Sequence, residues 1–287
     1  NKAYSNHAIT LEGKQRELTI LFSDIKSFTY RTETLGNEII DVLNVHYNKV
    51  IHSVHEATGV VGSIIGDAIL AIFGTEVSGS SKSLKAIEVA WEITNVTAEL
   101  RDKMIERRKE IEKTRRLTAA EDRVYQAVLL DIGVGIDGGN VFYGNIGSDE
   151  HMANTVIGDN VNSSSRLEGL TRIYHLPVIV SEYIKDEVEN VSTRYKFYEI
   201  DTVQVKGKTK GKKIYFPVDT YAQSASIVIE KFDKFKDGLE AYYKGDWSKA
   251  RKKFKDCDHD VCEVFLERMG RKSAPAKWSG IWTMTTK

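Results

Sequence analysis

Two aspartates each follow an apolar stretch of the sequence, a position from which a carboxylate can do chemistry. Asp24 ends the stretch 17–24, and Asp67 follows the stretch 60–66. A carboxylate at the end of a buried strand is held rigidly at the edge of a sheet, where a hard cation can be bound. Two of them predict a site for divalent metal and phosphate, as chemistry on a nucleoside triphosphate requires.

The elements that position these residues follow from hydrophobic periodicity. Strands are predicted at 18–23, 60–65, 68–73 and 178–181, and helices at 36–56, 83–116 and 160–174. Gly66-Asp67 joins one hairpin, Asp137-Gly138-Gly139 is predicted to turn a second between 128–136 and 140–146, and a third spans 197–205 and 213–218. This order indicates an α+β fold with a ferredoxin-like βαββαβ core, extra β-hairpins and helices.

The character of the sequence changes after about Gln223, which divides the chain into residues 1–222 and a tail of residues 223–287. Aromatic and small residues recur through 232–254 in the manner of one tetratricopeptide-like helical hairpin. A single repeat cannot bury its own apolar face. We therefore expect this small helical appendage to pack against the core or against a second chain.

Composition narrows the choice of partners and location. The 287 residues carry 41 basic and 41 acidic side chains, so no nucleic-acid partner is expected, and the charged run 101–116 is interpreted as a helix extending into solvent. Cys257, His259 and Cys262 supply too few ligands for a closed zinc site.

No apolar run approaches the roughly 20 residues of a membrane span. Because the chain starts with Asn1, we expect an upstream sensor or membrane region outside it, and a cytoplasmic catalytic domain tethered to the inner face of a membrane.

Four blocks of sequence together resemble one enzyme family. They are 21–29 (LFSDIKSFT), 65–73 (IGDAILAIF), 145–148 (NIGS) and 155–167 (TVIGDNVNSSSRL). In this order they resemble the class III nucleotidyl cyclase catalytic domain, the family of adenylyl and guanylyl cyclases. The resemblance extends over roughly residues 10–222, and 275–280 is similar to the tails of some bacterial members with membrane-bound sensors.

The resemblance implies a metal site and a phosphate site. It makes Asp24 and Asp67 the ligands of two Mg²⁺ or Mn²⁺ ions, assisted by the backbone carbonyl of Ile25. The helix that begins at about Lys26, with Phe28 and Thr29 in its first turn, would offer N–H groups to the phosphates.

Further site residues are implied on the helix 160–174 and on the last hairpin. In the family, an Asn and an Arg in the positions of Asn162 and Arg166 orient the ribose and stabilise charge on the α-phosphate; their four-residue spacing puts them on one helix face. Either Lys206 or Lys208 matches the lysine that contacts the triphosphate. The aspartates and the Asn/Arg pair meet only across a subunit interface in this family, which implies a head-to-tail homodimer with two equivalent sites.

The residues that would select the base depart from the family pattern. Ser63 stands four positions before Asp67, where adenylyl cyclases commonly have lysine, whereas Thr155 agrees with their threonine variant. Guanylyl cyclases commonly have Glu and Cys at these two positions. We therefore expect an adenylate cyclase that converts ATP to 3′,5′-cyclic AMP and pyrophosphate. The alternatives are a guanylate cyclase or a catalytically degenerate module that binds nucleotide, dimerises or relays a signal.

Overall fold

The computed structural model describes residues 14–76, 81–148, 151–204 and 211–283. The strands of this part are β1 (Lys14–Ile25), β2 (Val60–Ile65), β3 (Ala68–Phe73), β4 (Ile132–Ser148), β5 (His151–Ile157), β6 (Val178–Ser181), β7 (Tyr195–Gln204), β8 (Lys212–Asp219) and β9 (Trp282–Thr283). The α-helices are α1 (Phe28–Leu35), α2 (Ile39–Glu56), α3 (Lys82–Glu112), α4 (Ala119–Val128), α5 (Asp159–Tyr174), α6 (Glu182–Glu189), α7 (Ala225–Tyr243), α8 (Trp247–Cys257) and α9 (Val261–Met269).

All of these strands belong to one sheet. Its order is β2-β3-β1-β4-β6-β8-β7-β9, and β5 pairs with β4 off this path. The first four strands stand in the order 2-3-1-4 of a ferredoxin-like core, and β1 runs antiparallel to both β3 and β4. The predicted α+β fold with a ferredoxin-like core, added hairpins and helices is therefore confirmed.

The sheet is covered by helices on both faces. Successive side chains of a strand point to opposite faces, and β6 shows this directly. Val178 and Val180 pack into an apolar cluster with α2, α3 and α6. Ile179, between them, packs into a second cluster with α5, β7, β8 and the tail helices. Strand β6 runs parallel to β4 and antiparallel to β8, and because it is buried on both faces its residues 178–180 are all apolar.

The tail packs against the sheet. Helix α7 contacts β7 and β8, and α9 contacts α5. Phe232, Phe235 and Phe265 of the tail are fully buried in the same cluster as Tyr198 and Phe216 of the sheet. Of the two expected positions for the tail, packing on the core is the one observed.

One predicted hairpin is wrong. Asp137-Gly138-Gly139 lies inside the continuous strand β4, with Ile20, Thr19 and Leu18 of β1 as its register partners. Gly138 is needed for a close approach, because a Cβ there would lie 2.5 Å from Cε1 of Tyr183. The hairpin that does form joins β4 to β5, a strand that the periodicity did not indicate.

The helices differ from prediction mainly at their ends and in the short ones. Helix α3 ends at Glu112 instead of continuing to Arg116, and α4, α6 and α9 were not predicted. Helix α4 begins with a capping box in which Thr118 and Glu121 exchange hydrogen bonds, a signal that the sequence does contain. Within the described ranges no helix has the length and apolar character that a membrane span would need.

Candidate active site

The two aspartates are brought together by the pairing of β1 with β3. Asp24 lies near the end of β1, and Asp67 lies in the two-residue turn between β2 and β3. The backbone N–H of Ile25 donates a hydrogen bond of 3.2 Å to Oδ2 of Asp67. The predicted meeting of these carboxylates at one end of the sheet is thus observed in the geometry.

The electrostatics of this pair suit a cation. Burial, followed by the neighbouring carboxylate of Asp24, raises the pKa of Asp67 to about 7. Two adjacent carboxylates repel each other when both are ionised, and a hard divalent cation would relieve that repulsion. Within the described residues no group of three or more His, Cys, Asp or Glu is arranged to hold a metal. Asp24 and Asp67 supply carboxylate oxygens, the donor type that hard divalent cations prefer, and waters or substrate phosphates would have to supply the remaining ligands.

Tyr47 supports the turn that carries Asp67. Its hydroxyl donates a hydrogen bond to the carbonyl oxygen of Gly66, whose φ of 63° lies in the left-handed region that glycine adopts without strain. Burial and the charges of Asp67 and Asp24 raise the pKa of Tyr47, so the phenol keeps its proton and remains a donor. The sequence showed Tyr47 only as one apolar position of the helix, and this contact was not predicted.

Helix α1 begins directly after β1. Its N-cap residue Ser27 has a φ of 58°, and the chain before it is fixed by Lys26, whose N–H donates 2.8 Å to the carbonyl of Asp131. The N–H groups of the first turn, which includes Phe28 and Thr29, have no partner inside the helix. Such N–H groups at a helix N-terminus can bind an anion such as phosphate.

Helix α4 holds α1 in place through a buried arginine. Arg31 of α1 is 6% exposed. Its guanidinium donates to the carbonyl of Ala127 at 2.6 Å, to that of Gln126 at 3.3 Å and to that of Lys26 at 3.1 Å. An arginine in a charged-looking segment gave no sign of this role, because its partners are backbone carbonyls of a helix far along the chain.

Asn162 and Arg166 lie on α5 with exposed side chains. Neither forms a side-chain hydrogen bond or an ion pair with another described residue. The structure thus presents both groups at the protein surface, while Asp24 has other partners within the chain.

The partner of Asp24 is Arg172, a residue that the sequence reasoning missed. Nη2 of Arg172 donates 2.6 Å to Oδ2 of Asp24, and Nη1 donates 3.1 Å to Oε2 of Glu168. Burial raises the pKa of Glu168 to about 7, with Arg172 acting in the opposite direction. The i,i+4 spacing of Glu168 and Arg172 on the predicted helix was the available signal.

The remaining predicted residues lie on strands β2 and β5 or outside the described ranges. Ser63 is half-buried on β2, beside an irregularity in the pairing with β3. Thr155 is half-buried on β5, and β2 contacts β5. Lys206 and Lys208 fall outside the described residues.

Comparison with known proteins identifies the class. Residues 12–219 match the family model described as the adenylate and guanylate cyclase catalytic domain. An adenylate cyclase of Anabaena cylindrica is 32% identical over 204 residues, which are 70% of this chain and 36% of that protein.

Solved structures of cyclases have a fold similar to that of this chain. A bacterial light-regulated adenylyl cyclase superposes with a TM-score of 0.58 at 25% identity, covering 77% of this chain and 57% of that one. The guanylyl cyclase Cya2 superposes with a TM-score of 0.55 at 25% identity, covering 72% of this chain and 94% of that one.

The chain therefore belongs to the adenylate and guanylate cyclase catalytic domain family. It spans between 10% and 36% of the length of the first curated relatives that it matches.

Proposed function

We propose that this chain is an adenylate cyclase that converts ATP to 3′,5′-cyclic AMP and pyrophosphate at sites shared by two copies of the chain. The observation that carries the proposal is the joining of Asp24 and Asp67 at the sheet end, immediately before the N-terminus of α1. In a member of this cyclase family, that arrangement supplies metal ligands beside a phosphate-binding helix start.

In this proposal Asp24, Asp67 and the backbone carbonyl of Ile25 hold two divalent cations, Mg²⁺ or Mn²⁺. When bound, such ions would lower the pKa of the ribose 3′-hydroxyl and neutralise charge on the triphosphate. The N–H groups of the first turn of α1 bind the phosphates, and Lys206 or Lys208 contributes a further positive charge to the triphosphate.

Asn162 and Arg166 complete the site of the other copy in a head-to-tail homodimer. The exposure of both side chains supports this, since neither is committed to a partner among the described residues of its own chain. The amide of Asn162 would orient the ribose, and the guanidinium of Arg166 would stabilise charge that develops on the α-phosphate.

Selection of adenine over guanine would depend on Ser63 and Thr155. Two hydroxyls can each donate or accept, directly or through water. A guanylate cyclase is the second candidate, because Ser63 lacks the charged donor typical of adenylyl cyclases at this position. ATP is preferred because Thr155 agrees with the adenylyl variant and because the Glu and Cys common in guanylyl cyclases are absent from these two positions.

The test is an assay of purified dimer with Mn²⁺ and either ATP or GTP, followed by detection of the cyclic nucleotide. We expect cyclic AMP at a higher kcat/KM than cyclic GMP. Preferred formation of cyclic GMP would replace ATP by GTP, and formation of neither product by a verified dimer would contradict cyclase activity.

A further inference from the structure

Two residues of α5, Glu168 and Arg172, form a network with Asp24, the first carboxylate of the candidate metal site. Arg172 bridges two carboxylates, with Nη2 2.6 Å from Oδ2 of Asp24 and Nη1 3.1 Å from Oε2 of Glu168. The planar guanidinium has five donors in a fixed fork, so it can hold two carboxylates at a set separation and angle. Arg172 therefore restricts the orientation of Asp24.

The other end of this network is buried. Glu168 is only 3% exposed, and it lies over β4 at Gly133. A Cβ at Gly133 would lie 2.6 Å from Oε1 of Glu168, so the absence of a side chain there makes room for the carboxylate. Gly133 is also the register partner of Asp24 across β1 and β4. Glu168, Arg172 and Asp24 thus converge on one position of the sheet.

The charges in this network compensate each other. A lone arginine beside a metal ligand would lower the affinity for a cation by repulsion. Here Glu168 supplies a compensating carboxylate 3.0 Å from Nη1 of Arg172.

We infer that Arg172 is a positioning residue, anchored by Glu168, that fixes the carboxylate of Asp24 for divalent metal binding. The inference rests on the proposed function, because it assigns Asp24 to the metal. Partners that orient metal ligands typically change metal affinity by about 10–100-fold when they are removed. Helix α5 then serves two sites, with Arg172 acting on its own chain and Arg166 acting on the other copy.

The experiment measures Mn²⁺ binding instead of turnover. The free Mn²⁺ signal is followed by electron paramagnetic resonance in the presence of a nucleoside triphosphate without the 3′-hydroxyl, which cannot cyclise. The triphosphate has the base that the wild-type protein prefers. The variants are Arg172→Met, which removes the guanidinium, and Arg172→Lys, which keeps the charge but cannot bridge two carboxylates with a planar fork.

We expect the Mn²⁺ Kd of Arg172→Met to rise by about tenfold or more, with Arg172→Lys between it and the wild type. The matched control is Arg108→Met, which breaks another i,i+4 Arg–Glu pair, that with Glu112 on α3, and should leave the Kd unchanged. Should Arg172→Met not fold, Glu168→Gln removes the anchor and is expected to weaken Mn²⁺ binding in the same direction.

A rise of less than about tenfold in folded Arg172→Met, or tighter binding, would overturn the inference. In the absence of a folded Arg172→Met, an unchanged Kd for Glu168→Gln would do so. The proposed function fails separately: if the wild-type protein itself binds no Mn²⁺ with the triphosphate, the metal site is wrong and this inference falls with it.

Discussion

Asp24 and Gly133 are register partners across β1 and β4, and the missing side chain at Gly133 lets α5 approach this pair. A Cβ on Gly133 would lie 2.1 Å from Oγ1 of Thr171 and 2.6 Å from Oε1 of Glu168. The close approach of helix and sheet at this point brings the buried glutamate, and with it Arg172, to Asp24.

Gly133→Ala is expected to destabilise the protein. Because Thr171 and Glu168 are buried, the added methyl group must push α5 away from β4, at a cost of about 1–3 kcal/mol. Urea unfolding measures the free energy. The control is Gly169→Ala on α5, where a Cβ would meet no atom within 4 Å. This change should raise the free energy of unfolding by about 0.5–1 kcal/mol, because alanine is favoured over glycine inside a helix. Equal stabilities for the two variants would contradict the tight packing of α5 on β4.

Tyr47→Phe should lower the turnover rate clearly while it lowers the free energy of unfolding only slightly. Loss of the hydrogen bond to Gly66 costs about 1 kcal/mol in unfolding free energy. The loosened turn misplaces Asp67, and small misplacements of reacting groups cost about tenfold or more in rate. Cyclase assays and urea unfolding are measured side by side. Tyr221→Phe, at a tyrosine that is 76% exposed, serves as the control. Wild-type turnover in Tyr47→Phe would show that the turn needs no support from this hydroxyl.

His46 on α2 should make stability depend on pH. It is 6% exposed, and burial lowers its pKa from 6.5 to about 4. The folded state therefore resists protonation while the unfolded chain takes up a proton near pH 6.5. Stability is complete above about pH 6.5 and falls as the pH drops towards 4, by about 3 kcal/mol in all.

The measurement for His46 is urea unfolding at several pH values between 7 and 4. His46→Gln should remove the largest part of the loss, because the neutral amide does not titrate. His55→Gln, at an exposed histidine of the same helix, should keep it. The same pH profile for wild type and His46→Gln would refute the assignment.

Arg268 on α9 contacts Asp201 on β7, and this contact between tail and sheet should be needed for stability. It pairs with Asp201, which is fully buried and also accepts a 2.6 Å hydrogen bond from the hydroxyl of Tyr174 at the end of α5. Arg268→Met leaves a buried carboxylate without its cation, which costs about 3–5 kcal/mol. Urea unfolding should show this loss, and the added change Asp201→Asn should recover part of it. The control is Lys231→Met, which breaks a surface ion pair with Asp258 and should lower the free energy of unfolding by less than about 1 kcal/mol. An equally small loss for Arg268→Met would contradict a structural role for its contact with Asp201.

The sequence predicted what depends on local periodicity and on contiguous motifs. The hairpin β2–β3 has the predicted bounds, because Gly66-Asp67 is a turn signal between two apolar runs. The approach of Asp24 to Asp67 follows from the antiparallel pairing of β1 with β3, a consequence of the ferredoxin-like order. Roles for Asp24, Asp67, Asn162 and Arg166 remain predictions.

What the sequence could not predict depends on tertiary contacts. Asp137-Gly138-Gly139 has the composition of a turn, yet the pairing with β1 keeps it in a strand, and Tyr183 takes the space beside Gly138. The contact between Arg172 and Asp24 joins residues 148 positions apart and has no local signature. The helical pattern shows Tyr47 only as an apolar position. It does not predict the hydrogen bond from the Tyr47 hydroxyl to Gly66 in the turn between β2 and β3.

In the proposed function each site draws on two copies of the chain, and complementation between two inactive variants tests this arrangement. Asp24→Ala and Arg166→Ala chains carry different affinity tags, are co-expressed, and the heterodimer is isolated by two successive purifications. Each variant homodimer should be nearly inactive, at least about 10²-fold below wild type. The heterodimer contains one site with both residues intact, and we predict about half of the wild-type turnover per dimer. A heterodimer no more active than the two homodimers would contradict the shared site.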